Sequence, residues 1–95
     1  MVLLRIEHPV PDYEVWKRAF DADPVGRERS GVRRYRILRG IDEPNHVMID
    51  LEFDTVGQAE ALLASMRVIW GQVQGTLIDG PHARIADLVE TTEYR

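Results

Sequence analysis

The segment His46–Phe53 constrains the fold most, because every second side chain in it is apolar and the positions between them are polar except for Met48. This period of two predicts a strand with one face against a core and the other toward a polar environment. A capping box, Thr55-Val-Gly-Gln58, follows at once. Apolar side chains then recur at helical spacing from Ala59 to Val73, with Gly71 and Gly75 weakening the end of that helix. A strand followed directly by a long amphipathic helix is therefore predicted.

The other elements follow from similar patterns. The proline-rich His8–Pro11 ends the first strand, because proline donates no hydrogen bond within a sheet. Asp12 caps a helix whose stripe is Tyr13, Trp16 and Phe20. The predicted segments are strands at Val2–Glu7, Val32–Arg39 and His82–Glu90 and a first helix between Asp12 and Asp23-Pro24. The order β-α-β-β-α-β predicts one ferredoxin-like α+β domain over residues 1–95, with a four-stranded antiparallel sheet and both helices on one face.

Composition excludes several classes of function. Twelve Lys and Arg against sixteen Asp and Glu give a net charge of −4, which disfavours nucleic acid as a partner. Without cysteine, the chain has no disulfide, thiolate metal site or cysteine nucleophile. No apolar run approaches the roughly 18 residues that span a membrane, and no signal peptide is visible. These features predict a soluble cytoplasmic protein.

The polar turn between the second and third strands allows the register of their hairpin to be predicted. Pairing Arg36 with Asp50 and Arg34 with Glu52 sets opposite charges side by side. The same register pairs Ile37 with Ile49, Tyr35 with Leu51 and Leu38 with Met48. A slip by one residue would move apolar side chains to the polar face.

Because both helices lie on one face of the predicted sheet, the other face has no helices over it. We call it the open face. It carries Leu3, Leu38 and Met48 among charged residues. It is either an ordinary solvated surface or the interior of a homodimer. Because a 95-residue chain has a small core, burying more area by dimerisation is favoured.

The chain resembles the dimeric α/β-barrel superfamily, and more narrowly the antibiotic-biosynthesis-monooxygenase-like and small polyketide-cyclase-like proteins. The similarity rests on the segments Pro11–Asp21, Gly31-Val32 and Asp50–Thr55, the last leading into a helix with Ala59. The resemblance implies a homodimer whose two sheets form a barrel, with a pocket in each subunit that lies either between the helices and the sheet or in the barrel interior. It also implies a cofactor-independent monooxygenase or cyclase acting on a small aromatic or polyketide-like molecule.

The haem-degrading branch of this superfamily has an Asn on its first strand, with a Trp and a His further on. The first strand here carries Arg5 and Glu7 instead. Trp70 and His82 are present, but His82 follows a Gly-Pro turn. No haem, other cofactor or metal is therefore predicted.

The candidate site residues are those whose side chains could transfer a proton, bind an anion or pack against a ring. Tyr35 and His46 are the candidate catalytic groups, although His46 at a turn is also typical of a solvated residue. Asp50 lies four strand positions from His46, about 13 Å, too far for a direct dyad. The candidate substrate-binding residues are Trp16, Arg36, Asp50, Trp70 and His82.

Each group has a simpler interpretation beside the functional one. The charges around Arg36 and Asp50 form either a ladder that fixes strand register or an anion clamp. The aromatic residues form either plain core or a pocket for a flat ligand. A cavity of about 300 Å³ or more beside Trp70 and Tyr35 would favour an enzyme or a non-catalytic binding protein, and a filled core would favour a structural dimer.

Overall fold

The computed structural model describes residues 1–73 and 78–95. Four antiparallel strands lie in the order β2-β3-β1-β4. The elements are β1 (Val2–Pro9), α1 (Tyr13–Asp21), β2 (Arg34–Arg39), β3 (His46–Phe53), α2 (Val56–Val73) and β4 (His82–Asp87). The predicted βαββαβ order and antiparallel sheet are confirmed. Gly71 lies inside α2, and Gly75 lies outside the described residues.

Three strand ends differ from the prediction. β1 continues to Pro9, which pairs with His46. A proline is tolerated at the end of a strand because at most one hydrogen bond of the sheet is lost there. β2 begins at Arg34, because Gly31 has a φ of +99° and the chain before the strand is still turning. β4 ends at Asp87, just before Leu88 donates the last hydrogen bond to the Met1 carbonyl.

The hairpin register is confirmed in full. Arg36 lies opposite Asp50 and Arg34 opposite Glu52. Ile37 with Ile49, Tyr35 with Leu51 and Leu38 with Met48 complete the predicted pairs. The charge pairs therefore share one face of the sheet, and the apolar positions of β3 share the other.

The helix termini follow their local chemistry. The Asp12 carboxylate accepts the N–H groups of Glu14 and Val15 at 3.0 and 3.3 Å, which fixes the start of α1. Thr55 and Gln58 exchange hydrogen bonds of 3.2 and 3.3 Å ahead of α2, as the capping box predicts.

The core lies between the helices and one face of the sheet, which we call the covered face. Most strand positions on this face are apolar and buried, and they pack against buried residues of both helices. The strand contribution is Val2, Leu4, Ile6, Val47, Ile49, Leu51 and Phe53, and the helix contribution is Trp16, Phe20, Ala59, Leu62, Leu63 and Trp70. No helix in the described ranges is long and apolar enough to cross a membrane.

Candidate functional site

An apolar cleft opens between α1, α2 and the covered face, and it is the best-formed candidate site. Its volume is about 100 Å³. Its walls are almost entirely apolar, and they are formed by Trp16, Ala19, Phe20, Pro24, Val25, Arg27, Leu51, Met66, Ile69, Trp70, Val73 and Ile78. The cleft therefore adjoins Trp70, one of the two residues beside which a large cavity would favour an enzyme or a binding protein.

The size and lining of the cleft differ from the expectation. About 100 Å³ is below the roughly 300 Å³ that typical ligand sites begin at, and below an engineered cavity of about 150 Å³ that holds one benzene. Tyr35 is not part of the lining. The cleft is thus neither a full pocket nor a filled core, and it accepts one ring only if a wall residue moves.

A chain of aromatic rings runs along one side of the cleft. Trp16 contacts Tyr13 and Phe20, with ring centroids 5.8 and 5.2 Å apart. Phe20 in turn meets Tyr35 edge to face at 5.2 Å. Such tilted and edge-on contacts are favourable beyond the area that they bury. The rings connect the apolar cleft to Tyr35 on β2.

His8 lies behind this chain of rings, buried at the covered face. Its ring meets Trp16 edge to face at 5.8 Å, and its Nδ1 lies 3.2 Å from the Pro9 carbonyl. Burial lowers the pKa of His8 below its ordinary value, and the backbone contact opposes this only in part. His8 is therefore a neutral core side chain at neutral pH.

Arg27 stands at the mouth of the cleft and was not among the predicted site residues. It lies in the segment between α1 and β2, and its guanidinium carbon stacks 3.8 Å above the Phe20 ring centroid and 5.1 Å from that of Tyr35. Its Nη1 donates to the Phe20 carbonyl at 2.9 Å and lies 3.4 Å from an Asp23 oxygen. The turn residues around it have no periodic pattern, so the sequence held no signal for this placement.

A polar depression of about 720 Å³ borders the cleft on the other side of Arg27. Arg33 and Asp54 form an ion pair of 2.6 Å across it. The depression is lined by Asp23, Arg27, Glu28, Gly31, Val32, Arg33, Arg34, Tyr35, Asp54 and Gln58. Tyr35 therefore belongs to a wet, charged surface next to the cleft rather than to the cleft itself.

The structure divides the predicted site residues between the two faces of the sheet. Trp16 and Trp70 come together in the cleft, with Tyr35 nearby on the same face. The other four are on the open face: Arg36, His46, Asp50 and His82. No single site in one subunit brings both groups together.

On the open face, Asp50 is the centre of a charge network. Its carboxylate accepts Arg5 Nε at 2.9 Å and lies 3.4 Å from Arg36 Nη2. The Asp50 side chain is 8% exposed, whereas those of Arg5 and Arg36 are 61% and 60% exposed. Arg34 approaches Glu52 more loosely, at 3.7 Å. The arginine stems cover the carboxylates while their charged groups stay at the surface.

The two open-face histidines flank Glu7. His46 Nε2 lies 3.5 Å from a Glu7 oxygen, and His82 pairs with Glu7 across β1 and β4. In the ranges that the structure describes, no three His, Asp or Glu side chains come close enough to hold a metal ion. His46 has Glu7 rather than Asp50 as its acidic neighbour, in agreement with the spacing argument.

Comparison with known proteins places this geometry in a fold family. No family model matches the sequence, and no curated protein matches it. Solved structures do match: SnoaB, a cofactor-independent oxygenase from Streptomyces nogalater, has a TM-score of 0.74 at 15% identity, covering 95% of this chain and 94% of SnoaB. The chain has the ferredoxin-like fold of the antibiotic-biosynthesis-monooxygenase-like proteins. The ferredoxin-like fold that the resemblance implies is thereby confirmed.

Two further structures support this assignment. A Nitrosomonas europaea protein classed with the antibiotic biosynthesis monooxygenases has a TM-score of 0.72 at 16% identity, covering 97% of this chain and 93% of its own. A dimeric ferredoxin-like protein from an uncultured marine organism has a TM-score of 0.71 at 10% identity, with coverages of 99% and 100%. The solved structures that share this fold therefore include a protein described as dimeric.

The residues do not fit the haem-degrading branch of this fold. Trp70 lines the cleft beneath the helices, whereas His82 is on the open face, so the sheet separates them. The cleft of about 100 Å³ is also far too small for a tetrapyrrole.

Proposed function

We propose that this protein is a cofactor-independent monooxygenase whose cleft binds one ring of a small aromatic molecule. The observation that carries the proposal is the cleft itself, where Trp16 and Trp70 line an apolar space beside a polar mouth. Apolar walls with few polar groups are typical of small-molecule sites. The fold that this chain shares with a cofactor-independent oxygenase adds support.

Binding of a ring requires a small adjustment of the cleft. Met66 lines it and is partly exposed, and an unbranched thioether side chain repacks at low cost. We expect Met66 to move aside when a ring enters between Trp16 and Trp70. Larger substrates would keep their other rings in the polar depression.

In such a reaction the substrate itself reduces oxygen, and the protein orients and deprotonates it. With 1-naphthol as the example, C10H8O and O2 give 1,4-naphthoquinone, C10H6O2, and H2O. One oxygen atom bonds to ring carbon 4, and the other leaves as water with the ring hydrogen and the hydroxyl proton. Electrons of the phenolate ring reduce O2, so no external reductant is consumed.

Tyr35 is the proposed proton-transfer group, because its ring contacts Phe20 of the cleft wall and it lines the polar depression beside the mouth. General acid–base groups typically contribute about 10²- to 10⁴-fold in rate. His46, the other predicted catalytic group, is on the open face, so a role for it would require a site there.

The test is oxygen uptake by the purified protein with 1-naphthol, with ¹⁸O2 to follow the incorporated atom. We expect a labelled quinone, and a loss of at least about tenfold in rate for Tyr35→Phe with naphthol binding unchanged. The matched control is Tyr94→Phe, since Tyr94 is 92% exposed in the tail. Binding of 1-naphthol without oxygen uptake would instead support the alternative of a non-catalytic binding protein. No binding of 1-naphthol would support the alternative of a purely structural dimer.

We also propose that two copies associate through the open face to form a barrel. Leu38 and Met48 are paired there beside the buried carboxylates of Asp50 and Glu52, and Leu38 is 45% exposed in the subunit. A second copy would cover these apolar side chains and the arginine heads. Sedimentation velocity should give twice the subunit mass, and a monomer at micromolar concentration would contradict the association.

A further inference from the structure

We infer that the natural ligand of the cleft is an aromatic carboxylic acid, and that Arg27 selects it by binding its carboxylate at the mouth. This inference rests on the proposed function, because it specifies which aromatic molecules the cleft prefers. It arises from one residue that borders both the apolar cleft and the polar depression.

Arg27 is held in place more firmly than an ordinary surface arginine. Its side chain is 13% exposed, its guanidinium stacks on Phe20, and Nη1 donates to the Phe20 carbonyl. Its backbone N–H also donates to Asp23 at 2.9 Å. A guanidinium fixed in this way loses little conformational freedom on binding a ligand.

The guanidinium retains donors for a ligand. Within residues 1–73 and 78–95, Nε and Nη2 donate no hydrogen bond, while Nη1 serves Phe20. In that part of the chain, every buried side-chain nitrogen has a hydrogen-bond partner. Because Nε and Nη2 have none, they are not buried and are accessible to solvent. Adjacent N–H groups on one edge of a guanidinium match the two oxygens of a carboxylate.

The nearest protein carboxylate leaves this edge open. Asp23 is 3.4 Å from Nη1, and the same oxygen already accepts the backbone N–H of Arg27. Asp23 is also a third exposed, so solvent weakens its attraction for the guanidinium. A ligand carboxylate on the Nε and Nη2 edge would not displace it.

The position of Arg27 also limits the distance between ring and acid. Its guanidinium carbon is 3.8 Å from the Phe20 ring centroid, and Phe20 is part of the cleft wall. A ring inside the cleft therefore reaches Arg27 with a carboxylate attached directly or through one carbon. The Tyr35 ring centroid lies 5.1 Å from the guanidinium carbon, so Tyr35 is also next to the proposed carboxylate site.

The experiment compares benzoate with benzamide, which have nearly the same shape but differ in charge. The chain has two tryptophans, Trp16 and Trp70, and both line the cleft, so their indole N–H resonances report binding directly. We expect wild type to bind benzoate at least about tenfold more tightly than benzamide. In Arg27→Met the affinity for benzoate should fall to that for benzamide, because the methionine keeps the apolar contact with Phe20 and removes the charge.

The control is Arg29→Met, two residues away, exposed and outside both cavities, which should retain the preference. Arg27→Lys should retain part of it, since the charge stays and the planar fork is lost. Equal binding of both ligands by wild type would overturn the inference while leaving the proposed cleft intact. A preference that survives Arg27→Met would overturn the role of Arg27. If neither ligand shifts the indole resonances, the proposed cleft fails as well.

Discussion

The two faces of the sheet are built from the same strands but differ in their side chains and in what packs against them. On the covered face, apolar side chains from every strand pack with both helices and border the small cleft. On the open face, arginines pair with two buried carboxylates, and Leu38 and Met48 remain near the surface. Alternation along each strand therefore puts the proposed ligand cleft and the proposed dimer surface on opposite faces, so that a substitution can affect one without the other.

The largest predicted difference between the faces is in stability. Phe53→Ala on the covered face should lower the free energy of unfolding by about 3–5 kcal/mol, because Phe53 is 0% exposed and its removal leaves a cavity. Leu38→Ala on the open face should change the unfolding of the dissociated subunit by only about 0.5 kcal/mol. Urea denaturation at low protein concentration measures both, and equal losses would contradict the division.

Arg36→Met should act on assembly rather than on the ligand. Removing this guanidinium uncovers the Asp50 carboxylate, so we expect the dimer dissociation constant to rise at least about tenfold. Ligand binding in the cleft should be unchanged, because Arg36 is on the other face. Sedimentation and the tryptophan resonances measure the two effects, and weaker ligand binding with an intact dimer would favour the anion-clamp interpretation.

His8 should make the covered face sensitive to acid. Its pKa is lowered in the folded protein, so between that value and 6.5 the unfolded chain binds more protons. The stability contributed by the neutral ring is complete above about pH 6.5 and is lost as the pH falls through that window. His8→Phe should reduce this pH dependence, because phenylalanine does not titrate. Denaturation midpoints between pH 7.5 and 5 measure the slope.

The smallest effect is predicted for Arg33→Gln. Arg33 holds the pKa of Asp54 below its ordinary value, but both side chains are exposed, so solvent screens the pair. Neither stability nor dimer mass should change measurably. A clear loss of benzoate binding in this variant would mean that the ligand carboxylate binds in the polar depression and not at Arg27.

The sequence predicted those parts of the fold that depend on local chemistry and on period. The caps at Asp12 and Thr55 and the hairpin register were correct, because each involves near neighbours or strict alternation. The same register already placed Tyr35 and Arg36 on opposite faces, so parity alone argues against a single site containing both.

Other features of the site depend on contacts that no local pattern encodes. Arg27 reaches the cleft because an irregular segment folds back over Phe20. The burial of His8 was missed because the prolines predicted an earlier end to β1, whereas the alternation of Leu4 and Ile6 continues through His8. Cavity size depends on the packing of both helices together, which periodicity does not determine.

One measurement tests most directly whether ligand binding and dimer formation use opposite faces of the sheet. The chain has three methionines, with Met66 in the cleft, Met48 on the open face and Met1 at the start of the chain as a reference. In ¹³C-methyl-methionine NMR, adding 1-naphthol should shift the Met66 resonance and leave that of Met48 unchanged. Dilution through the dimer dissociation range should do the reverse. A Met48 resonance that responds to ligand, or a Met66 resonance that responds to dilution, would contradict the assignment of ligand and partner to opposite faces.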